Sequence, residues 1–80
     1  MGIKDAIAMR FRKLCAERGI SYTQLARLAG ITPSTVHSML QEERRDISIV
    51  TVKKLCDGLD LCIVDFFDDD MFRNLSQEIQ

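Results

Sequence analysis

The sequence predicts an all-α fold of five helices, followed by a short extra helix at the C-terminal end. Apolar residues recur at the three- and four-residue spacing of helices along most of the chain, and no segment alternates with a period of two. Eighty residues, of which 46% are hydrophobic, provide for one small core. We therefore predict one domain at residues 1–69 and an amphipathic tail at 70–80.

The first helix is predicted at residues 3–18, where it ends before Gly19. Its core stripe is formed by Ile3, Ile7, Phe11, Leu14 and Cys15. Its outer side carries Lys4, Arg10, Arg12, Lys13 and Arg18. We expect this side to be a solvated basic surface, and the alternative is that part of it also reaches DNA phosphates.

Residues 22–41 are predicted to form two short helices joined by a tight turn. Ser21 and Gln24 have the spacing of a capping box, which starts the first of these helices. Gly30 ends it, because glycine adopts the left-handed conformation without steric cost. Pro33 takes the first position of the next helix, where its missing N–H costs nothing. This order of signals is typical of a helix-turn-helix.

The second helix of this pair has a polar face without charge. Its predicted core side is Val36, Met39 and Leu40, and the opposite side is Ser34, His37, Ser38 and Gln41. Short, uncharged hydrogen-bonding groups can approach base edges without bringing acidic repulsion to the phosphates. The face therefore indicates DNA binding, and the alternative is a helical hairpin with no nucleic-acid role.

The charge of the chain is unevenly distributed. The net charge is −1, but residues 1–54 carry ten Lys and Arg against five Asp and Glu, and residues 55–80 carry one against seven. Phosphate attraction is local at physiological salt, so the basic part around the helix pair matters most. In the polar loop that follows, Arg44 and Arg45 are predicted to contact DNA phosphates.

Two further helices and the tail complete the chain. Ser48 caps a fourth helix, and Cys62 starts a fifth. Their core residues are predicted to be Ile49, Val52, Leu55, Cys56 and Leu59, then Leu61, Ile63, Phe66 and Phe67. Three aspartates, Asp68–Asp70, favour a further helix start. The apolar face of that sixth helix would be Met71, Phe72, Leu75 and Ile79. We expect this face to pair with a second chain or to fold back over its own domain.

Several classes of function find no support in the residues. The three cysteines lack metal-type spacing, and we expect them to be reduced and buried. His37 has no apparent ligand partner, and no nucleophile–base set or glycine-rich phosphate loop is present. No metal, cofactor, small-molecule ligand or enzymatic activity is therefore predicted. Without an apolar run of about twenty residues or a signal peptide, the chain is expected to be cytoplasmic, with no membrane contact.

Two stretches resemble a known family, SYTQLARLAGITPSTVHSML at 21–40 and TVKKLCDGLDLCIVDFF at 51–67. The chain is similar to the phage-repressor and Cro-like helix-turn-helix family (XRE type) across roughly residues 3–67. The resemblance implies a five-helix lambda-repressor-like fold that places its third helix in the major groove, usually as a dimer. By position it implies base contacts from Pro33, Ser34, His37 and Ser38, and phosphate contacts from Ser21, Tyr22 and Gln41. Many members have Gln where this chain has Tyr22.

The sequence therefore predicts sequence-specific binding to double-stranded DNA by a homodimeric transcriptional regulator acting at a promoter or operator. The 70–80 tail is the candidate dimerisation element. Two alternatives stay open. One is an antitoxin-type autoregulator, and the other is a protein-interaction module that has lost DNA binding, which the acidic C-terminal third favours.

Overall fold

A computed structural model describes residues 1–41 and 46–79, and the regular structure within these ranges is entirely helical. The helices are α1 Ile3–Arg18, α2 Tyr22–Ala29, α3 Pro33–Gln41, α4 Ile49–Gly58, α5 Ile63–Phe67 and α6 Asp70–Arg73. The predicted all-α fold with a short additional C-terminal helix is confirmed. None of the described helices has the length and apolar character needed to cross a membrane.

Local capping fixes the geometry of the central helix pair. The Ser21 hydroxyl accepts a hydrogen bond from the Gln24 backbone N–H at 3.1 Å, and the Gln24 side chain accepts one from the Ser21 N–H at 2.8 Å. Gly30 adopts a φ of 68°, and the N–H of Ile31 then donates to the Ala26 carbonyl at 2.9 Å. The predicted capping box and glycine stop are thus confirmed, and they set the turn into α3.

One hydrophobic core is shared by helices α1 to α5. Its aromatic centre is the contact between Phe11 and Phe66, whose ring centroids are 4.5 Å apart. Every α1 stripe residue except Ile3 is buried, as are the predicted core residues of α3 and those of α4 from Val52 onward. Ile49 is an exception, with 59% of its surface exposed. It is the first residue of α4, and it lines a surface groove with Ile3 and Phe67 instead of entering the core.

Helices α2 and α4 approach closely at Gly58. A methyl group added there would lie 2.9 Å from the backbone nitrogen of Ala29 and 3.0 Å from the carbonyl carbon of Leu28. Both of these atoms belong to the backbone of α2, which cannot yield without moving the helix. The absence of a side chain at Gly58 therefore sets how close α4 lies beneath the helix pair.

The C-terminal segment is less helical than its apolar spacing suggests. Helix α6 spans only Asp70–Arg73, so the predicted continuation to Ile79 is wrong. Phe72 packs on the rings of Phe66 and Phe67, with centroid distances of 5.8 and 4.9 Å. Ile79 is 81% exposed. In this chain, α6 thus covers the edge of its own domain.

Beyond α6 the chain returns to its N-terminal end. The backbone N–H of Ser76 donates to the Met1 carbonyl at 3.0 Å, and the terminal ammonium group of Met1 donates to the Ser76 hydroxyl at 3.2 Å. The carboxylate of Glu78 accepts from the Ile3 N–H at 3.4 Å. These contacts replace the intrahelical hydrogen bonds that a longer α6 would have made.

Part of the basic surface of α1 is occupied by the acidic C-terminal segment. Arg10 donates from Nε to the Phe66 carbonyl at 2.8 Å and from Nη2 to the Asp65 carbonyl at 3.1 Å. Lys13 Nζ lies 3.2 Å from the Asp69 carboxylate. These two cations therefore bind within the domain, whereas the sequence predicted them on a solvated surface.

The cysteines divide into two environments. Cys15 and Cys56 are buried and reduced, as predicted, and burial raises the pKa of the Cys56 thiol to about 11. Cys62 is exposed, so the prediction that it is buried is wrong. It is the N-cap of α5, where its backbone lies outside the helix and its thiol makes no capping hydrogen bond.

Candidate nucleic-acid interface

Helix α3 buries one side and exposes the other. Val36 is completely buried and Leu40 is 3% exposed, so these residues hold the helix against the core. Ser34 and Gln41 are exposed, while Pro33, His37 and Ser38 are half-buried. Since residues three and four apart share a helix face, Ser34, His37, Ser38 and Gln41 lie together on the side away from the core. No charged residue lies on α3.

The first turn of α3 contributes a further polar group. The hydroxyl oxygens of Thr32 and Thr35 are 2.7 Å apart, and both residues are exposed. Thr35 was not among the predicted contacts, although it lies three positions before Ser38 at the edge of the same face. This three-residue spacing could have identified Thr35 from the sequence. Thr35 therefore widens the exposed polar surface of α3 that Ser34 and Ser38 were predicted to form.

The start of α2 contacts His37 from the side. His37 Nε2 lies 3.4 Å from the Thr23 hydroxyl oxygen. The imidazole meets the Tyr22 ring edge-on, with centroids 5.6 Å apart and planes at 70°. Thr23 could not be predicted from the sequence, because a contact between α2 and α3 across fourteen positions depends on how the helices pack.

The predicted phosphate-contact residues occupy unequal positions. Ser21 is exposed; its oxygen caps α2, and its hydroxyl hydrogen remains available to donate. Gln41 is exposed at the end of α3. The hydroxyl oxygen of Tyr22 is buried and has no hydrogen-bond partner among the residues that the structure describes. In this conformation that hydroxyl is not presented to a phosphate. Arg44 and Arg45 lie outside the described residues.

The remaining cations show where the domain could attract phosphate. Arg18 donates to the Leu59 carbonyl, and Lys53 pairs with Asp57. Within residues 1–41 and 46–79, the exposed side chains of Arg12, Arg27 and Lys54 form no ion pair. Arg27 is in the last turn of α2 and is an additional candidate phosphate contact that was not predicted from the sequence.

Across residues 1–41 and 46–79, no group of three or more His, Cys, Asp or Glu side chains could hold a metal ion.

A comparison with protein-family models identifies the family of this chain. Residues 10–70 match the model of the Cro/C1-type HTH DNA-binding domain. The chain belongs to this family. The match runs from the middle of α1 to the start of α6 and includes the complete α2–α3 pair. Comparisons with curated proteins and with solved structures gave no significant match.

Membership of this family indicates what the domain binds. A Cro/C1-type domain is a DNA-binding module, so double-stranded DNA is the partner of this chain, and transcription regulation is the associated function. The family is defined by DNA binding rather than by catalysis. Within the residues that match the family model, α3 has an exposed face that carries no Lys, Arg, Asp or Glu.

Proposed function

We propose that the chain binds a specific double-stranded DNA sequence through α3 and regulates transcription at a promoter or operator. The observation that carries this proposal is the uncharged polar face of α3, opposite the buried side chains of Val36 and Leu40. Serine, histidine and glutamine side chains can hydrogen-bond to base edges in the major groove. We propose Pro33, Ser34, His37 and Ser38 as base contacts, with Pro33 making only apolar contact.

Phosphate contacts would orient α3 without reading sequence. We propose Ser21, Gln41, Arg44 and Arg45 for this role. Tyr22 can join them only after its ring turns away from His37, since its hydroxyl is buried in this conformation. Ser21 and Tyr22 belong to the start of α2, where the positive end of the helix dipole also favours an anion.

The central test is selection of bound duplexes from a random pool, followed by affinity measurements on the preferred and a scrambled duplex. Ser34→Ala and Ser38→Ala should each cost about 1–3 kcal/mol on the preferred duplex and little on the scrambled one. Equal losses on both duplexes would overturn the assignment to base contacts. A chain that shifts no duplex in a gel would support the protein-interaction alternative.

The phosphate contacts need a different readout. Gln41→Ala should weaken binding to both duplexes, whereas Gln77→Ala, an exposed glutamine in the C-terminal segment, should change neither. Arg44→Ala or Arg45→Ala should also weaken both and reduce the salt slope by about one unit per lost contact. An unchanged salt slope would mean that these arginines stay in solvent and contact no phosphate in the complex.

We also propose that the domain acts as a homodimer, because one recognition helix reads only one half of a two-fold site. The 70–80 tail remains our candidate for the interface. Its support is the 81% exposure of Ile79, although Phe72 is already packed against its own domain. Ile79→Asp should shift sedimentation of the chain from dimer to monomer. A variant as dimeric as the wild type would place the interface elsewhere.

A further inference from the structure

The imidazole of His37 is held from one side and open on the other. Its Nε2 lies 3.4 Å from the Thr23 hydroxyl oxygen, and its ring rests edge-on against Tyr22 at 5.6 Å. Within the described residues, Nδ1 makes no hydrogen bond. His37 is half-buried on the polar face of α3. Helix α2 therefore engages one ring nitrogen and leaves the other for a ligand of that face.

The hydrogen-bonding role of the open nitrogen depends on the partner of the engaged one. A neutral imidazole has one donor nitrogen and one acceptor nitrogen. If the Thr23 hydroxyl donates to Nε2, the ring hydrogen must be on Nδ1, which then donates. Within residues 1–41 and 46–79, the Thr23 hydroxyl contacts no other hydrogen-bond partner than His37 Nε2.

We propose that Thr23 is a positioning residue for base readout, because its hydroxyl donates to His37 Nε2 and makes Nδ1 a hydrogen-bond donor. This inference rests on the proposed function of α3. A donor at Nδ1 matches the acceptor edges of the major groove, which are N7 and O6 of guanine, N7 of adenine and O4 of thymine. It does not match the amino group of cytosine. Thr23 thus selects which bases His37 reads, although Thr23 itself belongs to α2.

The first arm of the test observes the imidazole directly in the protein without DNA. His37 is the only histidine of the chain, so long-range ¹H–¹⁵N spectra contain a single imidazole. At a pH where the ring is neutral, the wild type should show its hydrogen on Nδ1. Thr23→Val keeps the side-chain shape without the hydroxyl and should move the hydrogen to Nε2. Thr23→Ser should restore the wild-type spectrum. A hydrogen on Nε2 in the wild type would overturn the proposal.

The second arm measures affinity for the preferred and scrambled duplexes. Thr23→Val should bind the preferred duplex about tenfold more weakly, with little change on the scrambled one, and Thr23→Ser should recover the loss. In a His37→Ala background, Thr23→Val should have no further effect, because the two residues act as a unit. An equal loss in that background would show that Thr23 acts independently of His37.

The outcomes separate this inference from the function on which it rests. A wild-type chain that prefers no duplex would overturn both the proposed function and the role of Thr23. A wild-type preference that Thr23→Val leaves intact would overturn only the role of Thr23. The spectra distinguish a lost ring contact from a general loss of folding, because the His37 signals of an unfolded variant would resemble those of the wild type in denaturant.

Discussion

The guanidinium group of Arg10 lies against the last turn of α5, with Nε 2.8 Å from the Phe66 carbonyl oxygen and Cζ 5.8 Å from the centroid of the Phe66 ring. Carbonyl groups at a helix end have no intrahelical partner. Arg10 supplies that partner for the Phe66 carbonyl. It also adds a second donor to the Asp65 carbonyl, which already accepts from the Asp68 N–H at 3.3 Å. Its side chain is only 12% exposed. It thus joins α1 to a helix more than fifty positions along the chain.

Replacement of Arg10 by methionine should lower the free energy of unfolding by about 2 kcal/mol, because the change removes charged donors from two carbonyl groups. Methionine retains much of the apolar stem, so the loss is mainly of hydrogen bonds. The matched control is Arg12→Met, since Arg12 is exposed on the same helix and has no ion-pair partner among the described residues. Urea unfolding should place the control within about 0.5 kcal/mol of the wild type. Similar losses for both variants would contradict the role given to Arg10.

The carboxylate of Asp69 should make the free energy of unfolding depend on pH in the acidic range. The Met71 N–H, which donates to it at 3.0 Å, is the main cause that lowers its pKa, and Lys13 adds to the effect. A lowered folded pKa gives stability that is present above the unfolded value, about 3.9, and is lost as the pH falls through the folded value. Wild type and Asp69→Asn should therefore differ in unfolding free energy at pH 6. The difference should begin to shrink near pH 4 and should disappear only below the folded pKa. Asp60→Asn, at an exposed position, is the matched control, measured over the same pH range.

A methyl group at Gly58 should destabilise the domain although alanine is the better helix former. The gain in helix propensity is about 1 kcal/mol, whereas overpacking against backbone costs about 1–3 kcal/mol. We expect a net loss in Gly58→Ala, because the new group would press on the α2 backbone at Ala29. Lys54→Ala, exposed on the same helix, is the control. An unchanged or higher midpoint of thermal unfolding in Gly58→Ala would show that α2 and α4 separate easily.

The three cysteines should react with Ellman reagent at very different rates. The thiolate is the reactive form, and burial raises the pKa of both Cys15 and Cys56 while it also blocks access. The native chain should therefore release one equivalent rapidly, from the exposed Cys62, and all three only in denaturant. Cys62→Ser should abolish the fast phase. A second fast thiol in the native chain would mean that the core opens locally around α1 or α4.

Features with local causes were the ones that could be predicted from the sequence. The capping pair Ser21 and Gln24 and the left-handed Gly30 depend on residues a few positions apart, and each is present in the structure. The start of α4 was likewise indicated by Ser48, whose hydroxyl accepts from the Val50 N–H. The buried and exposed sides of α3 followed from helical spacing alone.

Features that depend on distant partners could not be predicted. The bond from Arg10 to the Phe66 carbonyl and the contact of Thr23 with His37 arise from packing between helices. The length of α6 was overestimated for the same reason. An isolated helix shorter than about twelve residues, such as one over 70–80, is marginal in water. The Asn74 side chain donates to the Asp70 carbonyl at 3.1 Å, and Ser76 is bonded to Met1. The apolar spacing of Leu75 and Ile79 carried no information about these competitors.

The contact between Met1 and Ser76 has a consequence for the order of folding. It joins residues 75 positions apart, as does the hydrogen bond from Ile3 to Glu78, so these contacts close nearly the whole described chain into a loop. Closing a loop of that size lowers the conformational entropy of the chain. Two exposed hydrogen bonds cannot offset this cost until the core has formed. The two ends should therefore meet last and separate first, while α2 and α3 remain assembled. Amide exchange at Ser76 should therefore be fast. The free energy of opening measured by exchange at Leu25 should approach the free energy of global unfolding.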